Sequence, residues 1–502
     1  MSSKRLALAL SVMAFSLTYP GVASAASFTV VHDFSGLDGQ TPAAPLVAGV
    51  DGFLYGVAAH GGDFTVLPPD GGGTAFRIDA HGTFTALHSF GGVEGAVPNS
   101  LIQGRDGFFY GTATYGGQAA ISPLEPGFGT VFRMDAAGAV TVLHAFPAND
   151  AGAHPGPVVQ GADGALYGTV SGGVGTSGHF PGYVYRLDVL TGAFRHVHDF
   201  VISDGENPTG PLFQAGDGFF YGTTNQGGPW NSGVVYKVDA LGNFALLHSL
   251  SPFYPGEGSE PKGGVIQASN GLFYGTTELG GYGGEIFRMD AAANFAVIHR
   301  FDAYASDGWK PVSGLIEARD GFLYGTAPIG GLPVTAPARY GVVYRSDKDG
   351  AVTVMHTFTG ADGSRPQAAL VQGADGGLYG SAVVGGAFGR GVLFRIDTAV
   401  PTPPPAVPAL TGLTLAPATV VGGQTSTGTV TLGGPAPSGN AVVTLTSGDS
   451  AVVSVPATVT VSAGATSASF AASTRRVKRT KAVSIRASFN GGSVSATLTV
   501  NR

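Results

Sequence analysis

The 502-residue chain has no cysteine, two tryptophans and only 12% charged residues. Without cysteine there is no disulfide framework and no thiolate to serve as metal ligand or nucleophile, so stability has to come from packing. A basic surplus is missing too: the formal net charge is −7, which gives no electrostatic footprint for nucleic acid. Ser-His-Asp, zinc-ligand and phosphate-loop signatures are absent, and no cofactor or metal is expected. Low charge here does not mean disorder, because 43% of the residues are hydrophobic. The length exceeds what one core serves, so at least two folded units, or a repeat array plus a domain, are expected.

Long apolar runs are also lacking, except near the start. Lys4 and Arg5 precede an apolar run from Leu6 to Leu17, and Ala23-Ser24-Ala25 supplies small residues for cleavage. This is the pattern of a secretory signal peptide over residues 1–25. The run is shorter than the roughly 20 residues a membrane-spanning helix needs, and Pro20 interrupts it, so no transmembrane anchor is expected.

What is abundant is glycine, 82 residues without a three-residue period, and therefore placed for turns. The motif Asp51-Gly52-Phe53-Leu54-Tyr55-Gly56 returns at Asp106, Asp163, Asp217, Asn270, Asp320 and Asp375, at intervals of 50 to 57 residues. Such periods mark propellers, solenoids or arrays. Each unit offers four short strand candidates, as in Leu101-Ile102-Gln103, Phe109 to Thr112, Val131 to Asp135 and Val140 to Phe146. They are rich in Val, Ile, Phe, Tyr and Thr, and no apolar pattern of helical period interrupts them. Asp-Gly and Asp-x-x-Gly connections suit tight hairpin turns. The last unit lacks its fourth strand, while Phe28 to Phe34 is a fourth strand without a unit. The expectation over residues 26–398 is an all-β, seven-bladed β-propeller closed by the N-terminal strand.

The recurring Asp-Gly-x-x-Tyr-Gly-Thr, Gly-Gly, Gly-x-Val-Phe-Arg-x-Asp and Leu-His-x-Phe elements resemble the GloVer-type extracellular tandem repeat of bacterial surface proteins. The resemblance implies export and a repeat array, usually with some C-terminal anchor, and carries no catalytic or ligand residues. Pro401-Thr402-Pro403-Pro404-Pro405 marks a stiff linker over 399–409. Residues 410–502 change to alternating Ala, Val, Thr and Ser, with six or seven strand candidates. That segment is similar to bacterial immunoglobulin-like modules and is expected to be an immunoglobulin-like β-sandwich.

Residues that recur in every unit read as architecture. His32, His88, His144, His198, His248, His299 and His356 would be spread around the circumference, too far apart for one metal. The repeated tyrosines suit wedges between blades, and the Arg-x-Asp pairs suit ion pairs or turn bonds. A functional site should break the repeat. In a four-strand meander the tight turns share one face, and the long internal loop and the crossing to the next blade share the other. That variable face should carry Trp230, Trp309, Phe253, Tyr254, Tyr282 and Tyr304, aromatic side chains suited to stacking on a sugar or binding a protein. Glu257 and Glu260 in one crossing, and Glu278 and Glu285 in the next internal loop, suit a cation or an acid and base pair, or are simply solvated. Arg475 to Lys481 is the only dense basic run of the mature chain. It suits an anionic cell-envelope polymer or lipid head groups, or a solvated hairpin.

The expected function is a secreted or cell-surface binding or scaffold protein that recognises an extracellular glycan or protein. The alternative is a polysaccharide-acting hydrolase or lyase that uses loop carboxylates. N-terminal sequencing of exported protein should start at Ala26, and an intact Met1 in a membrane fraction would reject the export argument.

Overall fold

The structure is a computed structural model. It describes residues 27–65, 69–117, 127–147, 154–175, 178–253, 256–281, 283–302, 307–331, 339–398, 409–436, 441–462, 464–489 and 492–502, with the backbone alone at 173–175 and 178–179. The signal segment and the proline linker lie outside the described residues, as do Tyr254, Tyr282 and Tyr304. The chain divides into two compact units, residues 1–400 and 401–502.

The first unit is all-β and propeller-like. Its described residues form seven four-stranded antiparallel sheets. Sheet one joins Val47–Ala48, Leu54–Ala58, Thr74–Ile78 and Phe84–Ser89, and the next five follow the same meander. Sheet seven takes Val371–Gln372, Leu378–Ala382 and Val392–Ile396 from one end of the unit and Phe28–Asp33 from the other, with Phe28 opposite Ile396 and Asp33 opposite Val392.

Both faces of each sheet are apolar, so each needs two neighbours. Seven buried clusters meet this need, each shared by two consecutive sheets. Tyr55 and Val57 of sheet one pack with Phe109 and Phe132 of sheet two. Tyr379 and Leu393 of sheet seven pack with Leu54 and Phe76 of sheet one, which makes the series cyclic. The glycine after the tyrosine is required sterically. A Cβ at Gly56 would stand 2.5 Å from the Phe76 ring, so the third-strand aromatic lies flat over bare backbone.

Polar locks recur at each junction. The Tyr55 hydroxyl donates to Asp51 at 2.8 Å, and its ring lies 4.1 Å from Phe109 of the next sheet. The Asp51 carboxylate also accepts the Phe53 amide of its own turn, so one aspartate holds both turn and wedge. The fourth strand carries a bulge in every sheet, as between His32 and Val30. His32 stacks on Phe84 of the following sheet at 3.8 Å and bonds Asp38 at 2.9 Å. His198 and His356 repeat this, stacking on Phe244 and Phe28. These histidines are inter-sheet struts. Of the Arg-x-Asp pairs, Arg395 meets Asp397 at 2.6 Å, but Arg77 instead covers the Phe53 ring at 4.7 Å while Asp79 caps its own turn.

The second unit contains nine strands among its described residues, more than the six or seven expected. Four form one sheet, in the order Leu410–Ala416, Thr425–Leu432, Ser467–Thr474 and Val453–Ser454. Five form the other, in the order Thr419–Val421, Gly492–Asn501, Lys481–Phe489, Ala441–Ser447 and Thr458–Val461. Both contribute to one core that includes Val430, Phe470, Ile485 and Leu498. The hairpin reading of the basic run is corrected: residues 475–480 are an exposed connection between strands of different sheets.

Removing residues 26–34 takes Phe28 and Phe34 out of two junction clusters and opens the third strand of sheet seven. The truncated protein should melt several degrees lower and expand in solution scattering, given roughly 2 kcal/mol for the buried Phe34, less for the partly buried Phe28, and a lost strand ladder. An unchanged melting temperature and scattering profile would show that this strand does not close the first unit.

Candidate functional site

The internal loop and the crossing do share a face. In five of the sheets they are joined by an isolated bridge, as at Gln40 with His60, Glu206 with Gln226 and Trp309 with Ile329. The tight turns are locked separately: the Gln103 side chain accepts the Val50 amide of the preceding sheet at 2.9 Å, and Gln160 accepts that of Arg105. The turns on one face are thus repetitive and bonded to the next sheet at five of the seven junctions, while the other face carries the variable connections.

Each crossing runs from an outermost strand to the next innermost one and ends at an X-Pro pair. In six of the seven crossings the residue before proline is left-handed: Thr41, Val97, Asn207, Glu260, Lys310 and Arg365, with φ between 54 and 60°. This conformation costs an L-residue roughly 1 kcal/mol or more and persists only where its surroundings dictate it. Here the Glu260 amide donates to Ser232 at 3.1 Å, and its carbonyl accepts the Glu278 amide at 3.0 Å. Beyond the prolines, residues of all seven sheets line one central cavity of about 630 Å³. Its walls are mostly apolar, with Leu46, Leu101, Val158 and Val312 among them, and among the described residues Lys262 is the only charged one in its lining.

Trp230 and Phe253 stand at the outer end of one crossing. They are 51% and 64% exposed and meet edge to face at 5.2 Å. Trp309 differs: it is only partly exposed, and a Cβ on Gly283 would lie 3.0 Å from its indole, so it packs against the Gly283 backbone. Lys310 lies 5.7 Å from the Trp309 ring. The structure therefore does not make the two indoles equivalent.

The four glutamates are not one cluster. Glu257 bonds His248 at 2.8 Å and so belongs to the histidine struts. Glu260 and Glu278 join Lys262 and Lys310 in a chain of alternating charge. Lys262 pairs with Glu278 and lies 3.4 Å from Glu260, and Lys310 reaches Glu278 at 3.3 Å. Burial pushes the Glu278 carboxyl upward, but Lys262 and then Lys310 outweigh it, and Glu278 titrates below its ordinary range. Glu285 is not in the internal loop but opens the strand Glu285–Met289, where it is fully buried. Its carboxylate lies 3.0 Å from Arg300 Nε. Burial raises its pKa from 4.5 to about 7, against the opposing charge of Arg300.

Sequence reasoning missed the Lys262 and Lys310 network, although a signal was present. The second residue after the left-handed position reads Ala43, Asn99, Gly156, Thr209, Lys262, Val312 and Gln367, a column in which one charge stands out. Glu285 likewise stands in a column of Thr74, Thr130, Tyr183, Val234, Val342 and Val392.

The repeat that builds this face is also what known proteins share with it. The profile of the Gloeobacter/Verrucomicrobia repeat matches residues 15–124, 122–332 and 242–441. The chain belongs to this repeat family. No curated protein matches it. Among solved structures, the repeat protein is similar to a Bacteroides thetaiotaomicron protein of unknown function, at 14% identity over 74% of this chain and 76% of that one, with a TM-score of 0.41. It is also similar to an auxiliary nutrient binding protein of the same organism, at 10% identity over 72% and 69% of the chains, with a TM-score of 0.39. A GH74 xyloglucanase from Xanthomonas campestris aligns at 14% identity over 82% and 60%, with a TM-score of 0.45. No helix among the described residues of this family member is long and apolar enough to cross a membrane.

The raised Glu285 pKa has a definite sign. A carboxyl held above its unfolded value stabilises the fold fully below about pH 4.5, and that contribution is lost as pH rises through 7. Burial lowers the pKa of His32, His198 and His356 even against their aspartates, which acts in the opposite sense, so a difference between variants is the clean measure. Glu285→Gln should match the parent near pH 4 and become more stable by roughly 3 kcal/mol at pH 8. A pH-independent difference in melting temperature would refute the assignment.

Proposed function

We propose that this protein is a secreted or cell-surface glycan-binding protein whose crossing face holds the ligand. In this reading the seven sheets are the blades of a seven-bladed β-propeller closed by the N-terminal strand. The second unit is an immunoglobulin-like spacer whose exposed 475–481 segment contacts an anionic envelope polymer. The observation that carries the reading is the Trp230 and Phe253 pair. Two large aromatic side chains, each more than half exposed, lie edge to face on the only face where the repeat varies. Exposing that much apolar surface is unfavourable unless a partner covers it. An exposed aromatic ring face suits the apolar face of a sugar, and Glu257 and Arg300, which line a surface pocket with Phe253, supply groups for its hydroxyls.

The hydrolase or lyase alternative needs an accessible acid beside a base. Glu278 is held ionised by two lysines, and Glu285, whose pKa would suit a general acid, is fully buried. Trp309, Tyr254, Tyr282 and Tyr304 remain part of the proposed binding face, with Trp309 in a supporting role.

A glycan array on the mature protein, with a reducing-sugar release assay beside it, tests the reading. A ligand should bind without turnover. Trp230→Ala and Phe253→Ala should each weaken it by roughly 1 to 3 kcal/mol, while Arg105→Ala on the tight-turn face should leave affinity unchanged. Sensitivity at Arg105 with both aromatics silent would place binding on the other face, and turnover would make the protein an enzyme.

A further inference from the structure

We propose that the wall of the central cavity at Lys262, with Glu260 and Glu278 paired to that lysine and Lys310 paired to Glu278, is a second subsite, which seats one sugar residue of a neutral oligosaccharide whose chain extends outward over Trp230 and Phe253. This rests on the glycan reading above.

The path between the two subsites is continuous in the chain. The crossing that contains Phe253 ends at Lys262, and near that end it is tied to the Trp230 loop and to the strand before it. The Glu260 amide donates to Ser232 O at 3.1 Å, the Ser232 hydroxyl donates to Trp230 O at 3.2 Å, and Thr223 Oγ1 donates to Pro261 O at 2.7 Å. The crossing passes from an outermost to an innermost strand, so it covers three strand spacings, or about 14 Å. That span exceeds one sugar ring and calls for an oligosaccharide.

The charges select the ligand class. Glu260, Lys262, Glu278 and Lys310 alternate in sign and sum to zero, and each carboxylate already faces an ammonium. A net anion or cation could bind only by breaking one of these pairs. A hydroxyl can instead donate to a carboxylate and accept from an ammonium, leaving the network whole. Thr209 of the neighbouring sheet lines the same cavity, as does Gln367 two sheets away, and both add neutral donors and acceptors to its wall. The cavity, at about 630 Å³, has room for a sugar ring, and its apolar walls suit the ring face. The network stands in one place only: the corresponding positions of the other crossings carry Ala43, Asn99, Gly156, Thr209, Val312 and Gln367.

Calorimetric titration of the mature protein with cellohexaose, xylohexaose, mannohexaose and arabinohexaose tests this, with hexagalacturonate and chitosan hexamer as the charged arms and free glucose, xylose, mannose and arabinose as the short arm. One neutral hexaose should bind at least tenfold more tightly than its monosaccharide and than either charged oligomer. Lys262→Met and Glu278→Gln should each weaken it tenfold or more. Val312→Phe, which fills the cavity without touching the charges, should do the same and guards against misfolding of the charge variants. If the hexaose is lost on Trp230→Ala but is indifferent to all three cavity variants, this subsite is wrong and the glycan reading stands. Preference for a charged oligomer overturns the neutral assignment, and failure of every hexaose at millimolar concentration overturns both readings.

Discussion

A four-stranded sheet with large apolar side chains on both faces cannot be stable alone, and this need for two neighbours governs the first unit. Tyr55, Tyr110, Tyr167, Tyr221, Tyr274, Tyr324 and Tyr379 are all essentially inaccessible, and their burial exists only because the next sheet covers them. The requirement explains why the chain recruits Phe28–Asp33 into its last sheet, since without it Phe394 and the Phe358 ring would face solvent. It also explains the polar locks. A buried tyrosine hydroxyl without a partner would cost about as much as the hydrogen bond returns, and the turn aspartate is the nearest acceptor.

That packing was legible in the sequence because it repeats. The spacing of Asp51, Asp106 and their counterparts, the Tyr-Gly pair and the displaced strand at Phe28 each encode a contact made seven times or a strand that must close a series. The bulge at the histidine strand was not legible, because it depends on how the next sheet's turn presses against the extra residue: a Cβ on Gly138 would lie 2.4 Å from Leu87 O. Nor was the division of the four glutamates. Their separation in sequence is short, yet Glu257 ends on an outer strand's histidine, Glu278 on the lysine that lines the cavity, and Glu285 buried at the start of a third strand. Three-dimensional position around a crossing has no local sequence period. The second unit shows the opposite limit: alternation exposed its strands, but their distribution over two sheets and the parallel pairing of Thr419 with Thr499 are set by long-range contacts.

The electrostatics of the crossing face follow from depth. Near the cavity, Glu278 is only 13% exposed, but two ammonium groups compensate it, so it stays charged and rigid. One strand further on, Glu285 has a single guanidinium beside it and no exposure at all, and the balance tips toward the neutral acid. The same residue type thus serves two purposes a few positions apart. Of the two, only Glu278 keeps any exposure to solvent.

The left-handed residues before proline connect this chemistry to the scaffold. Six side chains, from Thr41 to Arg365, are held in a conformation that a glycine would adopt more easily, and none of the six is glycine. At Thr41, Asn207, Glu260 and Arg365 the backbone is fixed by two hydrogen bonds, and at Lys310 by its amide bond to Gly283, with a proline following in each case, so the strain is borne by the fold and the side chain is free to vary. Glu260 and Lys310 occupy two of these positions. A repeat built in this way keeps the same local backbone before the proline in six of its crossings while presenting a different group at each, and a binding site can then arise by substitution at a few positions without disturbing the junctions that hold the sheets together.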